Sequence, residues 1–120
     1  MLSRLVQLLF AMTAAKVKEL NDVNFDAEIL KQDFMMVLIL DPTHESTKSI
    51  ILPFDTVSKT LDQWQIDVGV INIAVSPKLG EIHPVRGFTF KWFVKGTAFN
   101  YHGAKEATTI ASWVRAQGMR

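Results

Sequence analysis

The pattern of apolar residues changes several times along the chain, and each change marks a predicted element. Seven apolar residues follow one another at positions 34–40, and the run stops at Asp41 and Pro42. A run of this kind, without polar alternation, is typical of a central strand buried on both faces. Upstream of it, residues 17–20 predict a short strand, and residues 25–30 predict a helix capped by an Asn or Asp side chain.

Downstream of Pro42 the apolar residues recur at steps of three and four, which is the period of an amphipathic helix. The residues on this stripe are Ile50, Ile51, Phe54, Val57, Leu61 and Trp64. Pro53 lies inside the stripe, and a proline within a helix removes one hydrogen bond and crowds the preceding turn. We therefore expect one long helix with a kink at Pro53.

The second half of the chain predicts three more strands. Residues 66–75 have strand character, and the Pro- and Gly-containing stretch at 76–84 is predicted to be irregular or a short helix. Residues 88–94 predict a strand, Lys95-Gly96 predicts a turn, and residues 97–102 predict the antiparallel partner.

Residues 104–116 predict a closing helix. Its inward-facing residues are expected to be Ile110, Ala111, Trp113 and Val114. Parallel strands joined by helical crossovers, followed by a hairpin and a docking helix, predict a three-layer α/β sandwich. We expect its central mixed sheet to have four or five strands.

The first fifteen residues follow the order of a secretory signal peptide: a basic start with Arg4, an apolar run at 5–12, and small residues at 13–15. The apolar run is too short to span a bilayer, which needs about 20 residues. Two alternatives stay open. A mitochondrial presequence fits because no acid precedes Glu19, and an amphipathic first helix fits the stripe Leu2, Leu5, Val6 and Leu9. The predicted folded domain is residues 16–118.

Composition restricts the chemistry. The 13 Lys and Arg residues balance 12 Asp and Glu residues, and no basic stripe of the kind that binds nucleic acid is visible. The chain contains no cysteine, which excludes a disulfide framework, a thiolate zinc site and a cysteine nucleophile. Thiol–disulfide exchange needs an attacking thiolate, so this chain cannot perform it. The glycines show no phosphate-loop or dinucleotide-binding spacing, and no cofactor is expected.

Residues 85–96, VRGFTFKWFVKG, are similar to the segment V-R-G-(F/Y)-P-T-x-K-x-F-x-x-G of the protein disulfide isomerase family. The opening VKELNDVNFD at 17–26 resembles the first strand and helix of that family. The close of the chain, with Tyr101-His102-Gly103 and then Trp113-Val114, resembles its last strand and helix. The resemblance covers residues 16–117 and implies a thioredoxin-like domain.

The chain departs from that family at three functional positions. Where active members carry A-P-W-C-G-H-C-K, residues 41–48 read DPTHESTK, so neither alignment frame supplies a sulfur. The buried acid of active members is replaced by Leu38 or Ile39, depending on the frame. The cis-proline that precedes the threonine matched by Thr89 is absent, since the chain reads Gly87-Phe88-Thr89. We expect a trans connection there because a non-proline cis bond costs about 2.5–4 kcal/mol.

Residues 44–47 combine a base, an acid and two hydroxyls at a predicted helix start. A nucleophile–base pair between His44 and Ser46 or Thr47 is one interpretation. A Ser or Thr cap with Glu45 favoured by the helix dipole is the other. We favour the cap, because side chains so close in sequence rarely converge on one substrate atom.

The other candidate sites are assigned structural roles. A metal site built from His44, His83 and His102 is improbable without spaced acidic or thiol ligands, and these histidines are expected on the surface or in loops. The aromatic residues at 88–93 resemble a base-stacking strand, but a sheet covered on both faces makes them core. No metal site, nucleic-acid partner or membrane span is predicted.

The resemblance implies a redox-inactive domain that binds unfolded or partner polypeptides without disulfide exchange, and not an enzyme. The alternative is a structural or scaffolding module for protein assembly. The endoplasmic reticulum lumen or secretion is the expected location, with mitochondrial and cytosolic locations as alternatives. We name the expected peptide-binding surface the relic edge; its residues are Thr43, His44, Glu45, Ser46, Thr47, Lys48, Arg86, Gly87, Phe88 and Thr89.

Overall fold

Strands and helices alternate along the chain until a final hairpin and helix. The computed structural model describes residues 17–104 and 106–118, so the predicted signal sequence at 1–15 lies outside the described residues. The elements are β1 (Val17–Leu20), α1 (Phe25–Lys31), β2 (Phe34–Leu40), a 3-10 helix (Glu45–Ile50), α2 (Ile51–Gln63), β3 (Asp67–Asn72), α3 (Pro77–Ile82), β4 (Phe88–Val94), β5 (Thr97–Asn100) and α4 (Ala107–Gly118).

The described strands form one mixed five-stranded sheet in the order β1-β3-β2-β4-β5. The first three strands of that order are parallel to one another, and β4 and β5 are antiparallel to their neighbours. β2 therefore lies at the centre, and residues 35–40 of it are almost completely buried. This position explains the uninterrupted apolar run, because a central strand with both faces covered has no polar side.

Alternating residues of the central strands enter two separate cores. Met36, Leu38 and Phe90 point toward α2 and α4, where Phe54, Ile110 and other apolar residues complete the larger core. The smaller core lies under α1 and α3 on the opposite face of the sheet. Its buried residues are Leu20, Ile29, Met35, Val37, Ile39, Ile71, Leu79 and Phe93. The three-layer α/β sandwich and the core role of the β4 aromatics are thereby confirmed.

The expected long kinked helix is replaced by two helices that meet at residue 51. The 3-10 helix occupies 45–50, and Pro53 lies in the first turn of α2. A first-turn residue has no intrahelical acceptor for its N–H, so proline is tolerated there. The prediction of a kink inside one helix was wrong because it took the apolar stripe as a single element.

Three predicted boundaries were also wrong. β3 ends at Asn72 rather than 75, because the Asn72 carboxamide oxygen accepts a hydrogen bond from the Ala74 N–H and begins a turn. β5 ends at Asn100 rather than 102. The last helix begins at Ala107 rather than 104, after the Tyr101 hydroxyl has donated a 2.6 Å hydrogen bond to the Ala104 carbonyl.

The Lys95-Gly96 turn is confirmed as the link between β4 and β5. Both residues have positive φ, 49° and 88°, in a two-residue connection between paired Val94 and Thr97. This backbone twist matches the twist of the two strands it joins. No helix within residues 17–104 and 106–118 has both the length and the apolar character needed to cross a membrane.

Candidate functional site

The segment after β2 is folded back by hydrogen bonds to Asp41. The Asp41 carboxylate accepts from the Thr43 N–H at 2.9 Å and from its hydroxyl at 2.6 Å. The Thr47 hydroxyl donates to the Asp41 carbonyl at 2.7 Å. These contacts are formed by short polar side chains that bond nearby backbone groups. They place the 3-10 helix directly at the end of the central strand.

His44, and not Ser or Thr, caps the 3-10 helix. Its Nδ1 accepts a hydrogen bond from the Ser46 N–H at 3.2 Å. The same Nδ1 lies 2.8 Å from the Ser46 hydroxyl oxygen, so these neighbouring side chains do converge, contrary to the sequence argument. Within the described part of the chain, no residue hydrogen-bonds the other ring nitrogen, Nε2. A catalytic base is normally oriented by such a third group, so the arrangement fits a cap better than a nucleophile–base pair.

The two halves of the relic edge are in contact through Gly87. Its carbonyl accepts a hydrogen bond from the Asp41 N–H at 2.7 Å, and the Thr47 hydroxyl lies 3.4 Å from the same oxygen. Gly87 has a φ of 90°, and a β-carbon there would overlap the Ser46 hydroxyl. Glycine is therefore needed for both backbone conformation and close approach. Every peptide bond of the described residues is trans, including the bond before Phe88.

Burial divides the relic edge into supporting and accessible residues. Thr47 and Gly87 are buried and cannot contact a ligand directly. His44, Phe88 and Thr89 are half-buried. The remaining residues are exposed, and they are Thr43, Glu45, Ser46, Lys48 and Arg86.

Phe88 offers the open backbone of this edge. Successive residues of an antiparallel strand turn their N–H and C=O groups to opposite neighbours. Gly87 faces the β2 side through Asp41, and Phe90 faces the β5 side, where its carbonyl accepts from the Tyr101 N–H at 3.2 Å. Phe88 therefore also faces the β5 side, but β5 pairs only with residues 91–94. Its N–H and C=O lie at an unpaired stretch of the described sheet.

Large apolar side chains are exposed on the segments that follow the parallel strands. Leu52 in the first turn of α2 is 63% exposed. Val75, after β3, is 66% exposed, and Ile82 at the end of α3 is 67% exposed. The carboxyl ends of β2 and β3 and the start of β4 lie at the same edge of the sheet. This edge therefore combines an open backbone position with apolar surface.

Buried His83 and half-buried Lys91 form a pair of basic groups on the smaller-core face, and sequence reasoning missed this pair. The Lys91 ammonium lies 2.8 Å from His83 Nδ1, and His83 is only 9% exposed, packed against the rings of Phe25 and Phe93. His83 was expected on the surface or in a loop, and it lies in the loop after α3 with its ring buried. Strand alternation could have revealed the position of Lys91. Residues two apart on a strand share a face of the sheet, so Lys91 lies on the same face as Phe93, the face of the smaller core.

Burial lowers the pKa of His83, and the charge of Lys91 lowers it further. Burial alone lowers the pKa of Lys91. The lowered pKa of His83 favours a neutral imidazole, whose Nδ1 can accept a hydrogen bond from Lys91. Among the described residues, no carboxylate forms a salt bridge with Lys91. Ile39, rather than Leu38, lies on the same face of the sheet as Lys91.

The three histidines have separate environments. His44 caps the 3-10 helix, His83 contacts Lys91, and His102 is exposed after β5. In the residues that the structure describes, no group of three or more His, Cys, Asp or Glu side chains is arranged to hold a metal ion.

No protein-family model matches the sequence, and no curated protein matches it. Solved structures do match. The zinc-bound form of human ERp44 has a TM-score of 0.78 at 15% identity, with 85% of this chain and 31% of that chain covered. The J-Trx1 fragment of ERdj5 has a TM-score of 0.77 at 16% identity, with 87% and 52% covered.

The first thioredoxin domain of mouse protein disulfide-isomerase A4 has a TM-score of 0.72 at 24% identity, with 82% of this chain and 72% of that chain covered. The chain thus spans about a third of the human ERp44 structure. Identities this low establish the fold and not the activity. The chain has a thioredoxin-like fold and contains no cysteine.

Proposed function

We propose that the chain is a polypeptide-binding domain of the thioredoxin-like fold that acts without disulfide exchange, and that the relic edge is its binding surface. The observation that carries the proposal is the unpaired backbone of Phe88 beside the exposed half of the relic edge. An extended peptide gains affinity from main-chain hydrogen bonds at an open sheet edge and selectivity from neighbouring side chains.

Exposed apolar side chains on the segments that follow β2 and β3 favour an apolar ligand. They belong to Leu52, Val75 and Ile82. Burying such surface on binding contributes about 25 cal/mol per Å². A uniformly polar edge would have favoured scaffolding over peptide binding.

The test is an amide NMR titration of the ¹⁵N-labelled chain with short, cysteine-free apolar peptides. We expect saturable shifts at residues 43–48 and 86–89. Leu52→Lys should weaken binding at least fivefold, because it places a charge among the apolar contacts. Leu30→Lys is the matched control, since Leu30 is also a helical leucine and is 65% exposed on α1. Absence of shifts at high peptide concentration, or equal weakening by both variants, would overturn the proposal.

A scaffolding role is the second candidate, and the observation that favours it is the fully exposed edge strand β5. We further propose that the domain acts in the endoplasmic reticulum lumen, supported by the charge, apolar and small-residue order of residues 1–15 and by the family resemblance. Sequencing the N-terminus of the protein purified from its host tests this. Cleavage near residue 15 supports the proposal, and an intact Met1 contradicts it.

A further inference from the structure

The outer edge of the sheet at β5 has open hydrogen-bonding groups. Trp92 pairs with Phe99, and the Tyr101 N–H donates to the Phe90 carbonyl, so odd-numbered residues of this segment face β4. Ala98 and Asn100 therefore turn their N–H and C=O groups outward. All four residues of β5 are exposed, and none is charged or proline. Edge strands usually carry such residues because they prevent pairing with other chains.

An aromatic groove opens beside this edge. It has a volume of 380 Å³ and lies between β4, β5 and α4. Its apolar lining consists of Phe34, Trp92, Val94, Phe99 and Trp113. The rings of Phe34 and Trp92 are stacked at 5.6 Å, and Trp113 meets Trp92 edge-on at 6.2 Å. These ring contacts fix the walls, so the groove is formed before a ligand arrives.

The groove and the open edge are one continuous surface, because Phe99 and Asn100 belong to both. Phe99 is 51% exposed, so its ring forms the boundary between them. The two polar residues of the lining, Asn100 and Gln117, are uncharged. A charged ligand side chain buried here would lose its hydration without gaining an opposite charge. The surface therefore fits an uncharged partner.

We propose that the β5 edge and the aromatic groove form a second docking surface, occupied by an extended, uncharged polypeptide segment that adds a sixth strand. Its backbone pairs with Ala98 and Asn100. Its side chains alternate between the two faces of the sheet, and one apolar side chain beside Phe99 enters the groove. The volume lies at the lower end of the range for ligand pockets, about 300–1,000 Å³, which suits one or two side chains.

This surface lies apart from the relic edge, so an experiment can contradict one of the two proposals without contradicting the other. The relic edge lies where β4 begins, whereas the groove contains Phe34 and Val94, the first residue of β2 and the last of β4. A peptide bound at one place shifts different amide signals from a peptide bound at the other.

The experiment is a titration of the ¹⁵N-labelled chain with a neutral peptide that has Val, Ile or Phe at alternate positions and no proline. We expect saturable shifts at residues 97–100 and at the Trp113 indole N–H. Ala98→Pro removes an outward N–H without breaking the β4–β5 ladder, and proline is tolerated on edge strands. Phe99→Lys places a charge at the mouth of the groove. Each should weaken binding at least tenfold.

Val23→Lys is the matched control, because Val23 is 93% exposed in the turn before α1 and far from β5 in the sheet order. It should leave the shifts at residues 97–100, and the affinity fitted from them, unchanged. If Ala98→Pro perturbs the fold, its spectrum shows this and Phe99→Lys alone decides. Absence of saturable shifts at β5, or equal binding by Phe99→Lys, overturns the proposal. Concentration-dependent shifts at β5 without peptide also overturn it, because a second copy would then be the occupant.

Discussion

Gly87 joins the two halves of the relic edge, and its lack of a side chain makes this contact possible. Its positive φ is a conformation that residues with a β-carbon adopt only at a cost. In addition, a β-carbon would overlap the Ser46 hydroxyl and lie 3.3 Å from His44 Nδ1. The residue thus combines a backbone requirement with a packing requirement.

Gly87→Ala should destabilise the domain by about 1–3 kcal/mol, from backbone strain and overlap together. A double-mutant cycle in urea unfolding separates the two causes. In a Ser46→Ala background the overlapping hydroxyl is absent, so the cost of Gly87→Ala should be smaller, with the strain of the positive φ remaining. If Gly87→Ala destabilises the domain equally in both backgrounds, overlap with the Ser46 hydroxyl does not contribute to its effect.

The His83–Lys91 pair should make stability fall in mild acid. Burial and Lys91 lower the pKa of His83 in the folded state below its ordinary value of 6.5. The unfolded chain therefore binds a proton first, and the free energy of unfolding decreases as the pH falls through 6.5 toward the folded-state pKa. His83→Gln keeps an acceptor for Lys91 and should remove this part of the pH dependence. His102→Gln, at an exposed position, should preserve it in urea unfolding between pH 7.5 and 5.

Ser76 has a buried hydroxyl without a hydrogen-bond partner in the described structure. An unsatisfied buried polar group costs about 1–3 kcal/mol. Ser76→Ala should therefore leave the midpoint of urea unfolding unchanged or raise it. A clear decrease in the midpoint would indicate that the hydroxyl has a partner, such as an ordered water.

At the scale of elements, sequence patterns identified the strands better than the helices. The apolar run of β2 and the turn chemistry of Lys95-Gly96 are local signals, and both gave the correct element. The stripe from Ile50 to Trp64 was a weaker guide, because apolar spacing is similar in a 3-10 helix and in the α-helix that continues it. The hydrogen bonds of Thr47 in the 3-10 helix to the Asp41 and Gly87 carbonyls form only in the folded structure, so the apolar spacing does not predict them.

Phe90 and Phe99 lie on neighbouring strands but differ in burial, so replacing each one tests which strand contributes to the free energy of unfolding through the larger core. Phe90 on β4 is fully buried against Phe54 and Tyr101, whereas Phe99 on β5 is 51% exposed. Phe90→Ala should lower the free energy of unfolding by about 3–5 kcal/mol, since it leaves a cavity in the larger core. Phe99→Ala should cost less than about 1 kcal/mol. Similar losses for the two variants in urea unfolding would contradict the assignment of the core.

At the scale of the whole molecule, the sequence predicted the thioredoxin-like fold and the missing chemistry together. The absence of cysteine is read directly from the sequence, and the lack of the family's acid and proline follows from the resemblance. The sequence could not show that Thr47 and Gly87 are buried supports, or that His44 caps the helix. It also could not reveal the groove beside β5, because Phe34, Phe99 and Trp113 are brought together only by tertiary packing.

The whole domain should bind peptides with equal affinity whether or not they contain cysteine. Recognition without exchange depends on backbone and apolar contacts, so replacing a peptide cysteine by serine should change the dissociation constant less than threefold. Isothermal titration in reducing and in oxidising buffer tests this. A large preference for the cysteine peptide would contradict the proposed binding mode.

The two-residue connection between β4 and β5 also has a consequence for the order of folding. Closing so short a loop costs little entropy, and hairpins form in about 1–10 μs. Pairing of Val17 with Val68 must instead bring distant parts of the chain together. The hairpin should therefore act as the early template onto which β2 and then β3 assemble. β1, four residues long and paired with β3 alone in the described sheet, should be the last strand to join and the first to exchange its amide protons with solvent.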